Sequence, residues 1–294
     1  MLSLEKIVMK LILIPTDFSP ISDNAVKYGM DMALAMGAKL MLVNIFEIPI
    51  SFSEVPLVTI SVEQLKKLSE EKLGELKHNI DRITGGKLHV YVESRLGNVP
   101  DEIEKICDTL DPYAVIMGTR GLSAMGQFFL GSNSMSVIEK IEAPVFIIPP
   151  GVRFKPFRKV GLATDMEKVS ERIPIKPIKD LVSFFNADMH VLNVDYHEHH
   201  VTSYTTEESL KLDKMLSDLH PIYDMVENKD VEEGLNDFAE KNNIDLLITV
   251  PRKRHFLEKI LETSTTRKLI YHTTIPLMCI KMKHEELVSK TLHS

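Results

Sequence analysis

The chain has 294 residues, more than one core of about 100–200 residues usually holds, so we expect about two domains. Its 44% hydrophobic and 26% charged residues are ordinary for a globular protein and exclude wholesale disorder. The formal net charge of −7 argues against nonspecific nucleic-acid binding, because that binding needs a basic surface.

The first half of the chain alternates short apolar runs with longer segments of helical period. Near-continuous runs of Val, Ile and Leu predict strands that are covered on both faces of a sheet. The strands are predicted at 10–15, 39–45, 87–93, 113–117 and 144–149, and the helices at 20–36, 62–83, 99–110 and 132–141.

The first predicted helix carries clear start and stop signals. Ser19 is placed to cap its N-terminus, and Pro20 suits the first turn because its fixed φ is helical and its missing N–H has no partner there. Gly37 follows the last apolar position and predicts the stop. In the second predicted helix, five apolar residues lie at helical spacing and predict a face toward the core: Leu65, Leu68, Leu73, Leu76 and Ile80.

The second half shows the same order of elements less clearly. A first helix is predicted over 171–186, a polar loop over 196–209 and a second helix near 207–219. The charged tail 283–294 is expected to fray. The strands are predicted near 158–163, 188–194, 221–226, 244–249 and 275–281.

Four pairs of matching segments occur in the same order along the chain and predict a duplication. Apolar runs that close on Thr-Asp end at Asp17 and again at Asp165, and a later pair of runs ends at Asn44 and Asn193. Pro149-Pro150-Gly151 punctuates the chain between the copies. We therefore predict a domain over 1–150, a second over 151–282 and a tail over 283–294. Alternating strands and helices predict an α/β fold in which each domain is a parallel sheet flanked by helices.

The two cysteines, Cys107 and Cys279, lie far apart in apolar segments, which predicts buried free thiols in a reducing cytoplasm. The apolar runs are far shorter than the roughly 20 residues that cross a bilayer, so no membrane span is expected. The start of the chain has no small-residue cleavage site, and no secretory signal is expected.

Open parallel sheets bind ligands beyond the carboxyl ends of their strands, where the strand order reverses. That rule selects the loop 16–19 after the first strand and the loop 118–121 after the fourth. Gly118 and Gly121 allow backbone amides to approach an anion without a side chain in the way. Arg120, between them, adds a positive charge that suits a polyphosphate.

Nine residues further on, Gly131 and Ser132 open the fourth predicted helix. Unpaired amides at a helix N-terminus, together with the helix dipole, favour a phosphate group. With Asp17 at the end of the first strand, the spacing Gly-x2-Gly-x9-Gly-Ser resembles that of the universal stress protein family, and the resemblance covers nearly all of residues 8–282 in two family domains.

The resemblance implies five parallel strands in each domain and, in the subgroup that keeps these glycines, ATP at the strand ends, with or without Mg²⁺. It implies that the acid at Asp17 contacts the adenosine and that the backbone at Val43 touches adenine. The nucleotide-binding residues implied for the first domain are Pro15, Thr16, Asp17, Val43, Met117, Gly118, Arg120, Gly121, Gly131, Ser132, Asn133 and Ser134.

The second copy departs from this pattern, because Val250, Lys253 and Thr263 stand where the three glycines would be. Asp165 remains, but a conventional ATP site is not expected there. The run Arg252-Lys253-Arg254-His255 takes the place of the glycine loop. An anion or acidic-partner contact is one interpretation, and a solvated loop is the favoured one.

Metal and dinucleotide sites find little support. Residues 195–200 include three histidines, which are ligand types that could hold zinc. Their adjacent spacing lacks the frame of a zinc site, so a solvent-facing histidine cluster is the favoured interpretation, zinc binding is the alternative, and no metal ligand is assigned. The chain has no Gly-x-x-x-x-Gly-Lys-Ser/Thr phosphate loop, no Gly-x-Gly-x-x-Gly after the first strand and no Gly-x-Ser-x-Gly elbow.

Three functions stay open: an ATP-binding stress-response protein that signals through conformation or partners, a nucleotide-independent interaction scaffold, and a slow ATPase. No catalytic residue is assigned, since none is an obvious general base. The family pairs its domains through their last strands, which implies that strands 144–149 and 275–281 meet as a pseudo-dimer within one chain. A further homodimer of the chain is left open.

Overall fold

The computed structural model describes residues 9–48, 61–119, 132–195, 203–228, 230–251, 269 and 273–282. These residues form two compact units. Unit 1 contains residues 9–48, 61–118, 132–143 and 153–155, and unit 2 contains the remaining described residues.

Unit 1 is a parallel sheet with the strand order β3-β2-β1-β4. The chain adds β2 and β3 on one side of β1 and then returns to add β4 on the other, so the strand order reverses between β1 and β4. The strands are β1 (Leu11–Pro15), β2 (Lys39–Phe46), β3 (Val90–Leu96) and β4 (Ala114–Gly118), and the helices are α1 (Pro20–Met36), α2 (Val62–Thr84), α3 (Val99–Leu110) and α4 (Ser132–Lys140).

Unit 2 has the strand order β5-β10-β9-β6-β7-β8. All its pairs are parallel except β5 with β10, which is antiparallel. The strands are β5 (Val145–Ile148), β6 (Lys159–Ala163), β7 (Asp188–Asp195), β8 (Ile222–Glu227), β9 (Leu246–Thr249) and β10 (Leu277–Cys279), and the helices are α5 (Val169–Arg172), α6 (Ile175–Phe185), α7 (Ser203–Leu216) and α8 (Val231–Asn242).

The predicted start and stop residues of α1 are confirmed. Ser19 accepts a hydrogen bond from the Ser22 N–H at the N-cap, Pro20 opens the helix, and Gly37 ends it with a left-handed φ of 61°. The central residues of β1, β4, β5 and β9 are buried, as expected for a sheet covered on both faces, whereas most of β3 is not buried.

Strand β3 begins at Val90, three residues later than predicted. Helix α2 ends at two consecutive left-handed glycines, Gly85 and Gly86, and Lys87 N–H still bonds back to the Thr84 carbonyl. The residues predicted as the start of the strand are therefore used to reverse the chain. Leu68 on α2 is also exposed rather than core-facing, whereas Leu73 and Ile80 are buried as expected.

The single helix predicted over 171–186 is wrong. Helix α5 ends at Arg172 and α6 begins at Ile175. Pro174 has no N–H to donate, and its ring disfavours a helical residue before it, so Ile173 is extended, with φ −88° and ψ 116°.

Two further corrections concern helices. Helix α7 starts at Ser203, so part of the loop predicted over 196–209 is helical, and it ends at Leu216 before a short 3₁₀ turn. Helix α8 has no counterpart among the predicted elements, although Asp230 accepts hydrogen bonds from the N–H groups of Glu232 and Glu233 at its N-terminus.

Both cysteines are buried free thiols, as predicted. Among the described residues, no helix is long and apolar enough to span a membrane.

Candidate functional site

Hydrogen bonds to backbone and side-chain atoms hold the turn after β1 in place. Thr16 N–H donates to the Val43 carbonyl on β2 at 2.9 Å. The Thr16 hydroxyl accepts from Phe18 N–H at 3.1 Å, and a carboxylate oxygen of Asp17 accepts from Ser19 N–H at 3.0 Å. Phe18 sits in the left-handed region, with φ 62°. The turn thus fixes the exposed Asp17 carboxylate at the start of α1, where the strand order reverses.

A small polar network beneath the turn supports it. The buried Asn44 side chain donates to the Thr16 carbonyl at 2.7 Å. The Thr16 hydroxyl donates to the Ser22 hydroxyl at 3.1 Å, and Ser22 in turn donates to the Ser19 carbonyl at 3.0 Å. Sequence reasoning did not assign Ser22 or Asn44 to the site. The one sequence feature that could have pointed to Asn44 is its position at the end of one of the repeated segments.

The Asp17 carboxylate stays ionised in this setting. Partial burial alone would raise its pKa, but hydrogen bonds, chiefly those from the side chain and the backbone N–H of Ser19, outweigh that effect and lower the pKa below its ordinary value. An anionic oxygen at this place can accept hydrogen bonds from hydroxyl or amino groups of a ligand.

Gly118 ends β4 beside the first turn of α1. A Cβ added to Gly118 would lie 2.5 Å from the Ile21 carbonyl oxygen and 2.8 Å from the Ile21 side chain. Packing of α1 against β4 therefore requires a glycine here whether or not a ligand binds.

The other predicted site residues fall into two groups. Pro15 ends β1 opposite Val43 in the sheet register, Met117 is buried in β4, and α4 begins at Ser132, followed by the exposed Asn133 and the buried Ser134. Arg120, Gly121 and Gly131 lie outside the described residues, as do residues 196–200 and the basic run 252–255.

Unit 2 repeats the turn after its first strand. Thr164 N–H donates to the Leu192 carbonyl at 3.0 Å, the Thr164 hydroxyl accepts from Met166 N–H at 3.1 Å, and Asp165 accepts from Glu167 N–H at 3.0 Å. Met166 has φ 55°, matching Phe18. The duplication inferred from the sequence is therefore also seen in the individual hydrogen bonds of the two turns.

Comparison with known proteins agrees with this duplicated arrangement. A model described as the Universal stress protein family matches residues 9–149 and again residues 156–281. The chain belongs to the universal stress protein family.

Several relatives of this universal stress protein match about half of its length. Universal stress proteins MJ0531 and MJ0577 of Methanocaldococcus jannaschii are 27% and 26% identical over 47% and 48% of the chain, covering 81% and 96% of their own lengths. A solved universal stress protein from Archaeoglobus fulgidus covers 92% of the chain and 98% of its own, with TM-score 0.73 and 18% identity, which shows a shared fold.

The two domains differ in the charge next to the acid that both repeats carry after their first strand. In unit 2, the Arg172 guanidinium lies 3.9 Å from Asp165 and 3.1 Å from Glu167. Within the described part of unit 1, no ion pair involves Asp17, whose carboxylate is held by amide and hydroxyl groups.

The sheet register also identifies the residue of unit 2 that stands in place of Gly118. Ile12 pairs with Ala114 in unit 1, and the corresponding Val160 pairs with Leu246 in unit 2, so Gly118 corresponds to Val250. In unit 1, α1 lies so close to Gly118 that a Cβ at this position has no room. In unit 2 the chain follows a different course, because the short α5 stands where a long helix begins in unit 1, and this course accommodates Val250.

Proposed function

We propose that this universal stress protein binds an adenine nucleotide, ATP with or without Mg²⁺, in unit 1 and acts in stress response or signalling through nucleotide-dependent conformation or partner binding. The observation that carries the proposal is the contrast between the two equivalent acids. Asp17 is fixed by neutral donors at the point where the strand order reverses, whereas Asp165 has a cationic partner within its own unit.

The described residues suit the nucleoside end of such a ligand. An ionised carboxylate accepts hydrogen bonds from the vicinal hydroxyls of a ribose, and hydrogen bonds to a charged acceptor are the stronger kind. The buried network through Asn44 and Ser22 holds this carboxylate in place before the ligand arrives, which reduces the ordering cost of binding. At the phosphate end, helix α4 starts at Ser132, and its first amides suit an anion.

The first test is the nucleotide content of the protein purified without added nucleotide, followed by calorimetric titration with ATP. Removing the charge of Asp17 with Asp17→Asn should weaken binding about tenfold or more, since a charge-assisted hydrogen bond contributes about 1.5–3 kcal/mol. Asp165→Asn is the matched control in unit 2 and should leave the affinity unchanged. Equal affinity in the two variants and the parent would contradict the proposal.

The packing role of Gly118 favours a second candidate function, that of a nucleotide-independent scaffold. The close approach of Gly118 to Ile21 gives a packing reason for one of the three motif glycines. For a scaffold, the denatured protein releases no nucleotide, and ATP does not raise the melting temperature. For the nucleotide-binding protein, a hundredfold excess of ATP over Kd adds about 2.7 kcal/mol to the free energy of unfolding. Hydrolysis is not part of the proposal, because none of the described residues at this site is placed as a general base.

We also infer that the two domains form a pseudo-dimer through their last strands. Antiparallel pairing of β5 with β10, which places Leu277 opposite Ile147 and Cys279 opposite Val145, supports this arrangement. These two strands come from the same position in the two repeats.

A further inference from the structure

Strand β3 is the outermost strand of the unit 1 sheet, and among the described strands only β2 pairs with it. The His89 carbonyl accepts from Leu40 N–H, and Gly97 N–H donates to the Phe46 carbonyl, so the odd-numbered residues direct their backbone groups toward β2. Because these directions alternate along a strand, Val92, Ser94 and Leu96 direct their N–H and C=O groups outward.

This edge has only part of the usual protection against pairing with another strand. Natural edges are commonly blocked by proline, by a bulge or by charged side chains, lysine above all, and β3 contains neither proline nor lysine. Its two charged residues, Glu93 and Arg95, have opposite signs, so they do not repel every incoming strand. Three of its apolar side chains are well exposed, with Tyr91 at 51%, Val92 at 38% and Leu96 at 44%.

We propose that β3 is a docking edge for the same strand of a second copy of this chain, paired antiparallel about Ser94. Ser94 then faces Ser94 of the other copy as a hydrogen-bonded pair, because both direct their backbone groups outward. The hydrogen bonds of the new pair come from groups that the β2 ladder does not use.

This register is selected by the two charges on the strand, Glu93 and Arg95. With the two-fold axis at Ser94, Glu93 of each copy lies opposite Arg95 of the other, and Val92 lies opposite Leu96. Opposite charges and apolar side chains placed directly across antiparallel strands are both favourable. A two-fold axis at position 93 or 95 would instead place like charges directly opposite each other, and one at position 92 would leave both charges without an opposite partner.

The charges are also held in a suitable place within each copy. Arg95 donates to Glu93 at 2.7 Å and to Glu102 of α3 at 3.3 Å. Lys105 reaches the other oxygen of Glu102 at 2.6 Å. A second copy paired about Ser94 would extend this group with a row of charges of alternating sign.

The outermost strand of unit 2, β8, does not have this self-complementarity. It also exposes large side chains, Ile222, Tyr223 and Met225, but its only charged residues are the acids Asp224 and Glu227. Two copies of β8 therefore have no opposite charge to pair. A seven-residue edge buries less surface than a standard interface, so the β3 dimer should be weak and concentration-dependent.

The test is sedimentation velocity of the full chain over a concentration series from about 1 µM to about 200 µM, with and without ATP. Glu93→Arg gives a strand with two cations, and Arg95→Glu gives a strand with two anions. Each variant alone should raise the dimer Kd at least tenfold. An equimolar mixture of the two should restore dimers, because each cation then lies opposite an anion again.

Met225→Lys on β8 is the control and should leave the dimer unchanged. A parent chain that stays monomeric throughout, a Glu93→Arg variant that dimerises as the parent does, or a dimer that only Met225→Lys abolishes would each overturn the proposal. Asp17→Asn should retain the dimer, so this outcome is independent of nucleotide binding. Circular dichroism of each variant confirms that loss of the dimer is not loss of the fold.

Discussion

The Glu208 side chain on α7 is buried in unit 2, where one carboxylate oxygen accepts from Val169 N–H at 2.7 Å and the other from Lys211 at 2.9 Å. Burial alone would raise the pKa of Glu208. The hydrogen bonds from Lys211 and Val169, with the charge of Lys211, outweigh burial and lower the pKa below its ordinary value of 4.5. The carboxylate thus holds the first turn of α5 against α7.

Replacing this carboxylate with Glu208→Gln should lower the free energy of unfolding by about 1–3 kcal/mol at pH 7, because a buried charge-assisted contact is lost. The folded-state pKa is depressed, so the contribution is complete above pH 4.5 and is lost as the pH falls through the folded-state pKa. The difference between parent and variant should therefore shrink in acid. Urea unfolding at neutral and acidic pH measures it.

Glu207→Gln is the matched control for that experiment. Glu207 contacts the same lysine at 2.8 Å but is exposed. Its replacement should change stability by no more than about 0.5 kcal/mol. Equal effects of the two variants would show that burial of Glu208 does not matter.

At the scale of elements, the contact between β4 and α1 depends on one missing side chain. Gly118→Ala would place a Cβ 2.5 Å from the Ile21 carbonyl oxygen, and backbone cannot move aside as a flexible side chain can. We expect a loss of about 1–3 kcal/mol in the free energy of unfolding, measured by urea titration.

The control for this variant is Gly74→Ala. Gly74 lies on the exposed side of α2, where an added Cβ meets nothing within 4 Å. Alanine has the higher helix propensity, so this variant should be stabilised by up to about 1 kcal/mol. Equal or higher stability of Gly118→Ala would contradict the packing account.

The elements that were predicted well carry their signals locally. Helix α1 has its cap, its proline and its terminal glycine within its own sequence, and its bounds match the prediction. The break between α5 and α6 was also signalled locally by Pro174, but the apolar periodicity on both sides favoured one helix. The start of β3 was missed because two left-handed glycines, Gly85 and Gly86, turn the chain before the strand pairs with β2.

At the scale of the whole molecule, each compact unit contains one cysteine. Cys107 lies on α3 in unit 1, and Cys279 lies on β10 in unit 2. Burial, with the nearby charges of Asp108, Asp111 and Glu104, raises the pKa of Cys107 to about 12. Burial also raises the pKa of Cys279. Both thiols should therefore be unreactive while their unit is folded.

Pulsed thiol labelling in urea, read by mass spectrometry, should report the unfolding of each unit separately. If unit 1 binds ATP, the nucleotide should shift the labelling of Cys107 to higher urea by mass action, with a smaller effect on Cys279. Cys107→Ser and Cys279→Ser assign the two signals. A shift at Cys279 alone would place the nucleotide in the wrong unit.

The sequence by itself determined the α/β class, the duplication and the acid at the end of each first strand, because apolar period and short motifs are local properties of a chain. Only the tertiary structure decided that Asn44 and Ser22 support the Asp17 turn, that Gly118 is required by a helix carbonyl, and that Asp165 meets Arg172. The physical reason is that hydrogen bonds, close approaches and ion pairs depend on distances between segments. A linear pattern does not contain those distances until the sheet has set its register.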